Sequence, residues 1–403
     1  MAALHPAPPL RPWADLPGDV LYEILRHVQC AADRGSAALA CRPWLEAFNR
    51  AAPPPPPRPL PLPWLLLPSA DGSFRASCAL SGGAAHHHHL PVASHGARYF
   101  GSYDGAWLFR VFRRQGVHQL VNARTGYGYA LPATFRPFDD ALGRFLDIGM
   151  LILAATLSAP PGDRRCVAAG IVADSQDRFP VANIGMTKGR VVFWRMGAAV
   201  ALDFSSIPLD PALDAEDIIY YAGAFHVLTQ SEHIRVYGPT LPRNGRLGVV
   251  RRLLRFVASG RTYGEAVHSR YLVMGSRGDL LMVVRLTLQL QSPTSRFRVF
   301  RMVPIDAAAN VWHWDELHTL EGQMLFVGRC CSRAYDVNRY RGLEEGVYFL
   351  DDSSFYGIEL SGGANARTYP CVDNGKWSER GVERCFTPLQ EASDYSPPVW
   401  LLP

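Results

Sequence analysis

The stretch YFGSYDGAWLF, residues 99–109, contains two β-prone aromatic segments separated by Asp104 and Gly105. An Asp-Gly pair between hydrophobic runs indicates a tight β-hairpin, because the favoured two-residue turn needs residues that accept positive φ angles. Similar strand–turn–strand patterns recur around Gly197, around the polar residues 230–233 and around Gly278. The chain after residue 68 is therefore predicted to consist of short antiparallel strands.

The predicted turns are regularly spaced along the chain. Gly105, Gly189, Gly278 and Gly322, taken as equivalent hairpin turns, are separated by near multiples of roughly 40–45 residues, the period of one propeller blade. Circular closure of such blades removes the exposed sheet edges that promote aggregation. We therefore predict a mainly β protein, with a six- or seven-bladed β-propeller over residues 69–385 and a C-terminal tail over residues 386–403.

The composition agrees with a folded, turn-rich protein. Hydrophobic residues make up 48% of the chain and charged residues 19%, a globular balance. The 44 aromatic residues (16 Tyr, 19 Phe and 9 Trp), together with 35 Gly and 32 Pro, favour strands and turns. The net charge of +5 is spread along the chain, and its densest basic cluster is Arg251, Arg252 and Arg255. This distribution argues against a nucleic-acid-binding protein.

Cysteine spacing and hydropathy limit the expected location of the protein. The eight cysteines form no C-x-x-C pair, which argues against a zinc ribbon or a small disulfide scaffold. The first ten residues lack the charged and apolar regions of a signal peptide. The longest apolar runs, 148–157 and 64–67, are too short to span a membrane. We expect a soluble protein of the cytoplasm, the nucleus or both, with reduced thiols.

The N-terminal part of the chain has a helical pattern. Val20, Leu21, Ile24, Leu25 and Val28 recur at the spacing of one helix face. A second helix is expected over about residues 36–41, and a third is expected to start at the proline at position 43, with an apolar face formed by Trp44, Leu45 and Phe48. About forty residues cannot bury three apolar faces against one another, so this module is predicted to need a partner.

A proline-rich segment separates this module from the strands. Eight of the eleven residues in Pro53–Pro63 are proline. Proline fixes φ and removes backbone donors, so residues 51–68 are predicted to form an extended, fairly stiff linker. A PxxP ligand role is the alternative interpretation of this segment.

Two resemblances suggest a family. The segments Pro12–Pro17 (PWADLP), Val20–Leu25 (VLYEIL) and Ala40–Trp44 (ACRPW) resemble, in that order, an F-box of the plant type over residues 12–50. The rest of the chain resembles the KIB-type β-propeller that follows the F-box in a large plant family. The segments that carry this second resemblance are Gly101–Leu108, Leu120–Gly126, Leu131–Pro132, Leu325–Arg329, Tyr340–Leu343 and Gly346–Asp352.

The resemblance implies a non-catalytic adaptor, namely the substrate-recognition subunit of an SCF-type E3 ubiquitin ligase. The F-box would dock onto a Skp-type adaptor bound to a cullin scaffold, and the propeller would bind a protein substrate. The residues expected to form the apolar, adaptor-binding surface are Leu16, Pro17, Val20, Leu21, Ile24, Leu25, Val28 and Trp44. A helix that docks on its own propeller is the alternative for these residues.

Three further groups of residues are candidate ligand sites. Trp312–Asp315 (WHWD) combines aromatic rings, an imidazole and a carboxylate, although alternating core and surface positions explain it equally well. His86–His89 offers metal ligands without supporting carboxylates or cysteines, as a solvated loop also would. The third group, which could receive an acidic or phosphorylated segment or be scattered in solvent, consists of Arg298, Arg301, Arg329, Arg333, Arg339 and Arg341.

No catalytic fingerprint for hydrolysis, nucleotide binding or metal-assisted chemistry is present in the sequence. We therefore expect no cofactor, no metal and no membrane partner. Two alternatives to the ligase hypothesis remain open. One is a propeller interaction protein that never joins a ligase, and the other is a propeller lectin or hydrolase.

Overall fold

The computed structural model describes residues 13–28, 31–50, 63–68, 74–78, 85–86, 96–112, 115–139, 143–174, 190–203, 215–241, 247–257, 261–289, 292–340, 343–351, 373–383 and 396–402. Three helices come first: α1 (Gly18–His27), α2 (Ala31–Ala40) and α3 (Arg42–Arg50), preceded by a 3-10 turn at Trp13–Asp15. The three predicted helices are present. The second helix begins at Ala31, before the predicted start at about residue 36. The prediction missed these first residues because they have no apolar periodicity.

The rest of the described chain is almost entirely strand, with one short 3-10 turn at Val337–Arg339. The strands are β1 (Trp64–Pro68), β2 (Phe74–Cys78), β3 (Ala85–His86), β4 (Ala97–Tyr103), β5 (Trp107–Phe112), β6 (Val117–Asn122), β7 (Gly128–Ala130), β8 (Thr134–Arg136), β9 (Phe138–Asp139), β10 (Arg144–Phe145), β11 (Ile148–Leu157), β12 (Val167–Asp174), β13 (Arg190–Arg195), β14 (Val200–Asp203), β15 (Ala215–Tyr221), β16 (Ala224–Thr229), β17 (Ile234–Thr240), β18 (Gly248–Phe256), β19 (Ala266–Met274), β20 (Leu280–Thr287), β21 (Thr294–Asp306), β22 (Val311–Leu317), β23 (Gln323–Phe326), β24 (Arg333–Asp336), β25 (Gly346–Phe349), β26 (Gly375–Ser378), β27 (Gly381–Glu383) and β28 (Val399–Leu401).

Apart from the two-stranded ribbon of β9 and β10, the strands in the described part of the chain form six sheets. Sheet 1 has the order β28-β1-β2-β3, sheet 2 is β4-β5-β6-β7, and sheet 3 is β11-β12-β13-β14 with β8 bridging its outer and inner strands. Sheets 4 and 5 are the meanders β15 to β18 and β19 to β22, and sheet 6 has the order β24-β23-β25-β26-β27. Short parallel contacts, β18 with β22 and β19 with β24, connect sheets 4, 5 and 6. The predicted six or seven blades correspond to six sheets.

A hydrophobic cluster lies between each sheet and the next, and the sixth cluster joins sheet 6 to sheet 1. The pairs that mark these interfaces, in order from sheets 1 and 2 to sheets 6 and 1, are Leu66 with Tyr99, Phe109 with Ile152, Phe193 with Phe225, Ile234 with Leu272, Phe297 with Phe349, and Phe326 with Trp400. Six interfaces between six sheets define a closed ring, which is a β-propeller.

The ring is closed by pairing between the two ends of the strand region. β28 pairs with β1 in antiparallel register, with Leu65 opposite Trp400. Trp400 is 2% exposed, and its indole N–H donates to the carbonyl oxygen of Val327 in sheet 6 at 3.0 Å. The propeller therefore extends past the predicted limits of 69 and 385, into the predicted linker and the predicted tail. This pairing joins residues more than three hundred positions apart, so no local pattern indicates it.

Most of the predicted hairpins are confirmed. Asp104 and Gly105 have φ angles of 52° and 59°, and they connect β4 to β5. Gly197 and Gly278 also have positive φ in the turns between β13 and β14 and between β19 and β20. Gly189 and the second half of the last predicted hairpin lie outside the described residues. Gly322 connects β22 of sheet 5 to β23 of sheet 6, so the prediction of a hairpin turn at this glycine was wrong. None of the described helices is both long enough and apolar enough to cross a membrane.

Buried polar groups link neighbouring sheets. Arg285 of sheet 5 is completely buried and donates to Asp373 at 2.8 Å and to the Leu350 carbonyl at 2.9 Å, both next to strands of sheet 6. His118 of sheet 2 accepts a hydrogen bond through Nε2 from the backbone N–H of Ile152 in sheet 3, at 3.2 Å. Each bond joins two sheets in addition to the apolar cluster between them.

Closure of the ring predicts a large cost for Trp400→Ala. Removing this buried side chain leaves a cavity and an unpaired carbonyl, which should lower the free energy of unfolding of the propeller by about 3–5 kcal/mol. Chemical denaturation followed by circular dichroism measures this free energy of unfolding. Trp13→Ala is the control, because Trp13 is 69% exposed and its removal should cost less than about 1 kcal/mol. Equal stabilities of the two variants would contradict the role of β28.

The His118 contact predicts a pH-dependent stability. Burial, and secondly the charge of Arg98, lower the pKa of His118 from 6.5 to about 4. The unfolded chain then binds more protons, so the contribution of this imidazole is present above about pH 6.5 and is lost as the pH falls towards 4. The difference in unfolding free energy between the wild type and His118→Gln should decrease over this window by up to about 1.4 kcal/mol per pH unit. His27→Gln, at an exposed position of the helical module, is the control variant for the loss of an imidazole outside the propeller.

Candidate functional site

The helical module has a small interior of its own. Leu21 and Leu25 of α1 are one turn apart and pack against Trp44 and Ala47 of α3. All four are buried. Leu16, Ile24, Ala37 and Cys41 surround them and are partly buried. This cluster draws only on residues between 16 and 47, so the helices pack on one another through a minimal core.

Proline residues start two of the three helices. The Pro17 carbonyl accepts the first bond of α1, from the N–H of Leu21 at 3.1 Å. Pro43 lies in the first turn of α3, where its missing N–H removes no helical bond. The proline inside the Cys-Arg-Pro-Trp unit therefore does not interrupt a helix, because α2 has already ended at Ala40.

Large apolar side chains remain exposed on the outside of the module. Val20 is 41% exposed, Leu45 42% and Phe48 39%. Leu45 and Phe48 are three residues apart on α3, which places them side by side on the helix surface. Trp13 and Leu39 are also exposed. The packing of α1, α2 and α3 therefore does not consume the apolar surface of the module.

The structure divides the predicted adaptor-binding residues into two groups. Leu21, Leu25 and Trp44 form the interior of the module, and so do not face a partner while it is folded. Leu16, Ile24 and Val28 are half-buried, and Pro17 and Val20 are exposed. The exposed Trp13, Leu39, Leu45 and Phe48 were not among the predicted site residues. Helical periodicity finds an apolar face, but only packing separates its buried centre from its exposed border.

The Trp312–Asp315 segment is split between two faces of one strand. Trp314 is buried, stacks on Phe256 with ring centroids 4.5 Å apart, and donates to the carbonyl of Glu232 at 2.9 Å. Trp312 packs against the same apolar cluster. His313 and Asp315 alternate with the tryptophans along β22 and so point to the opposite face. The four side chains do not converge on one ligand.

The predicted arginine group does not form one open anion site. Arg298 forms an ion pair with Glu316, and Arg301 pairs with Asp279 at 2.7 Å and with Glu321 at 2.9 Å. Arg329 donates to the carbonyl of Glu216 at 3.0 Å. Carboxylates and carbonyls that already accept from these guanidinium groups leave little capacity for an acidic ligand. Arg333 also has a partner, Arg339 is exposed, and Arg341 lies outside the described residues.

A buried carboxylate lies where three sheets meet. Asp217 of β15 accepts from the N–H groups of Cys330 at 2.6 Å, Leu272 at 2.7 Å and Ile218 at 2.9 Å. Burial raises the pKa of Asp217 to about 7, and the three N–H donors act in the opposite direction. The three N–H donors belong to or adjoin strands of different sheets, so this residue ties sheets 4, 5 and 6 together.

The described residues contain no cluster of three or more possible metal ligands. His86 ends β3, and His87–His89 lie outside the described part of the chain.

The fold and the surface define the class of this protein: a six-sheet β-propeller preceded by a small helical module with exposed apolar residues. Residues 77–372 match the model of the KIB1-4 beta-propeller, and the chain belongs to that family. No F-box family model matches the helical module. No curated protein matches the chain.

Solved structures give only distant similarities. The N-terminal domain of Nup159 is 8% identical with a TM-score of 0.32, and the match covers 64% of this chain and 60% of that domain. The BBS1N structure in complex with ARL6DN is 11% identical with a TM-score of 0.29, and the match covers 68% of this chain and 72% of BBS1N. The family match and the closed ring therefore carry the fold assignment.

The division of the module into interior and exterior predicts two classes of variant. Leu21→Ala removes a fully buried side chain and should destabilise the module by about 2–4 kcal/mol. Val20→Ala, one position earlier in the same helix, should cost less than about 1 kcal/mol. Hydrogen exchange of residues 18–50 in the full chain measures both, and exchange should accelerate only for Leu21→Ala. Similar protection in the two variants would mean that the module has a different interior.

Proposed function

We propose that the chain is the substrate-recognition subunit of an SCF-type E3 ubiquitin ligase. In this proposal the helical module docks onto a Skp-type adaptor held by a cullin, and the propeller binds a protein substrate. The observation that carries the proposal is the exposure of Val20, Leu45 and Phe48 on a module whose interior is already filled.

The energetics favour a protein partner for this surface. Full burial of each large apolar side chain contributes about 1.5–3 kcal/mol, and part of this is offset by the loss of translational and rotational freedom on association. The border of the module is polar: Arg26 pairs with Glu23 at 3.1 Å and Arg42 with Glu46 at 3.0 Å. Apolar anchors surrounded by a solvated charged rim are typical of a protein–protein interface.

The order of the parts also supports the proposal. The F-box resemblance covers residues 12–50, and the family-matched propeller begins at residue 77. Ubiquitin transfer would then be carried out by partner subunits, and the contribution of this chain would be to bring substrate and catalyst together. No residue of the chain needs a catalytic role in this mechanism.

The proposal predicts that Phe48→Asp weakens binding of the adaptor. A carboxylate in place of the ring puts an unpaired charge into the interface, which should weaken binding by tenfold or more, about 1.4 kcal/mol at least. Asn49→Asp is the matched control, since it adds the same charge at the neighbouring exposed position and should retain binding. Co-purification of the adaptor and the cullin with each full-length variant measures the effect.

The module must stay folded for this comparison, so hydrogen exchange of α1 and α3 is recorded for both variants. Equal capture by Phe48→Asp and Asn49→Asp would remove Phe48 from the interface. If the wild-type chain captures neither adaptor nor cullin, the chain is an interaction protein outside the ligase, and the proposal fails.

A further inference from the structure

Sheet 4 has the longest outer strand of the described sheets, nine residues in β18 against seven in β22 of sheet 5. The outer strands of the described sheets 1, 2 and 6 are short, and β14 of sheet 3 is paired with β8. β18 is nine residues long, and its outer edge pairs with β22 only at Arg255 and Phe256. Residues 248–254 therefore present a free strand edge in the described part of the chain.

The direction of the free backbone groups follows from the contacts at the end of the strand. The N–H of Arg255 donates to the carbonyl of Asn310 at 3.0 Å, and the N–H of Val257 donates to that of Trp312 at 2.9 Å. Alternate residues of a strand point their N–H groups to the same edge. The N–H groups of Leu253 and Arg251 therefore also point outwards, and no described strand accepts them.

One face of this edge is basic. Leu253 lies directly opposite Arg235 of β17, so the two side chains share a face. Arg251 and Arg255 flank Leu253 at two residues on either side, on the same face. The three guanidinium groups have no ion-pair or hydrogen-bond partner among the described residues, in contrast to Arg298 and Arg301. A cluster of like charges without counter-charges attracts an acidic ligand.

The opposite face of the same strand is partly apolar at its free end. Val250 is 66% exposed, and Leu254 and Phe256 continue this face into the cluster between sheets 4 and 5. Arg252 lies between Val250 and Leu254 on the same face, opposite Val236 of β17. An added strand alternates its side chains between the two faces. Acidic residues would lie beside Arg251 and Arg255 on one face and beside Arg252 on the other, and apolar residues would lie beside Val250 and Leu253.

We propose that the outer edge of β18 binds an extended segment of a partner protein by β-strand addition, and that this segment contains both acidic and apolar side chains. Main-chain hydrogen bonds to the free edge provide affinity, and the arginines select for acidic residues. This deepens the proposed function by naming the surface and the chemical class of substrate, and it rests on that function only for the role of the bound protein as a substrate.

The free backbone edge favours a peptide over a nucleic acid. Nucleic-acid binding needs cations along a phosphate chain, and it gains nothing from a row of alternating N–H and C=O groups. A peptide in extended conformation satisfies these groups and the arginines at the same time. Arg251 lies on the free edge of residues 248–254, and Arg255 directly follows this edge.

The test uses a fluorescein-labelled octapeptide of alternating Glu and Val, with anisotropy as the readout on the full chain. Arg251→Glu combined with Arg255→Glu should weaken binding by tenfold or more. The matched control is Arg124→Glu combined with Arg144→Glu, which changes the net charge equally at exposed arginines of other sheets, one in the β6–β7 turn and one in β10, and should bind as the wild type does.

A second pair of variants tests the backbone. Leu253→Pro removes an outward N–H but no ladder bond to β17, since proline is tolerated on the free side of an edge strand. It should weaken peptide binding about tenfold. Leu253→Ala removes the same side chain, keeps the N–H, and should stay within about threefold of wild type. A Glu-Pro octapeptide, which has the same charge and fewer N–H donors, should bind weakly.

The outcomes are distinct. Loss of peptide binding in the Arg251/Arg255 and Leu253→Pro variants, with adaptor capture retained, supports the proposal independently of the helical module. Binding unchanged in both overturns it. Binding of a dT oligonucleotide of about twelve nucleotides in place of the peptide also overturns the proposal. So does self-association of the charge-reversed variant when the wild type binds no peptide, because the arginines would then only protect the strand edge from aggregation.

Discussion

The structure depends on closure of the ring of sheets by β28 and β1. If the six sheets formed an open arc, the first and the last sheet would each expose an apolar face. The cluster that contains Leu65, Phe326 and Trp400 would then be lost. The pairing joins residues far apart in sequence, so the entropy of closing the loop must be overcome before the cluster can form. Closure therefore gives cooperativity to a set of sheets that would otherwise be stable only in part.

Buried polar groups make the ring specific as well as closed. Asp217, Arg285 and His118 each bond across a boundary between sheets, and each is buried. Such a group is costly when unpaired, so a shifted sheet would leave a charge or a ring nitrogen without its partner. Apolar clusters alone tolerate small displacements between sheets. The polar links penalise them, and surface loops on neighbouring sheets are held in fixed relative positions as a result.

Sequence reasoning identified what local chemistry determines. The Asp104–Gly105 turn, the turn at residues 230–233 and the apolar spacing of α1 each depend on a few neighbouring residues, and each was confirmed. The role of Trp400 was missed because its partner strand begins at Trp64, across the whole propeller. The free edge of β18 was missed for a related reason: the arginines are visible in the sequence, but their lack of counter-charges depends on which strands lie nearby.

The two proposed surfaces are energetically separate. The interior of the helical module contains no propeller residue, and the six propeller clusters contain no residue of α1, α2 or α3. A module with only Leu21, Leu25, Trp44 and Ala47 in its core has little stability of its own, and binding of a partner adds stability in proportion to its concentration and affinity. Occupancy of the module should therefore order α1, α2 and α3 without altering the edge of β18. Such independence suits a bridging protein, because the two partners do not need to compete for one conformational equilibrium.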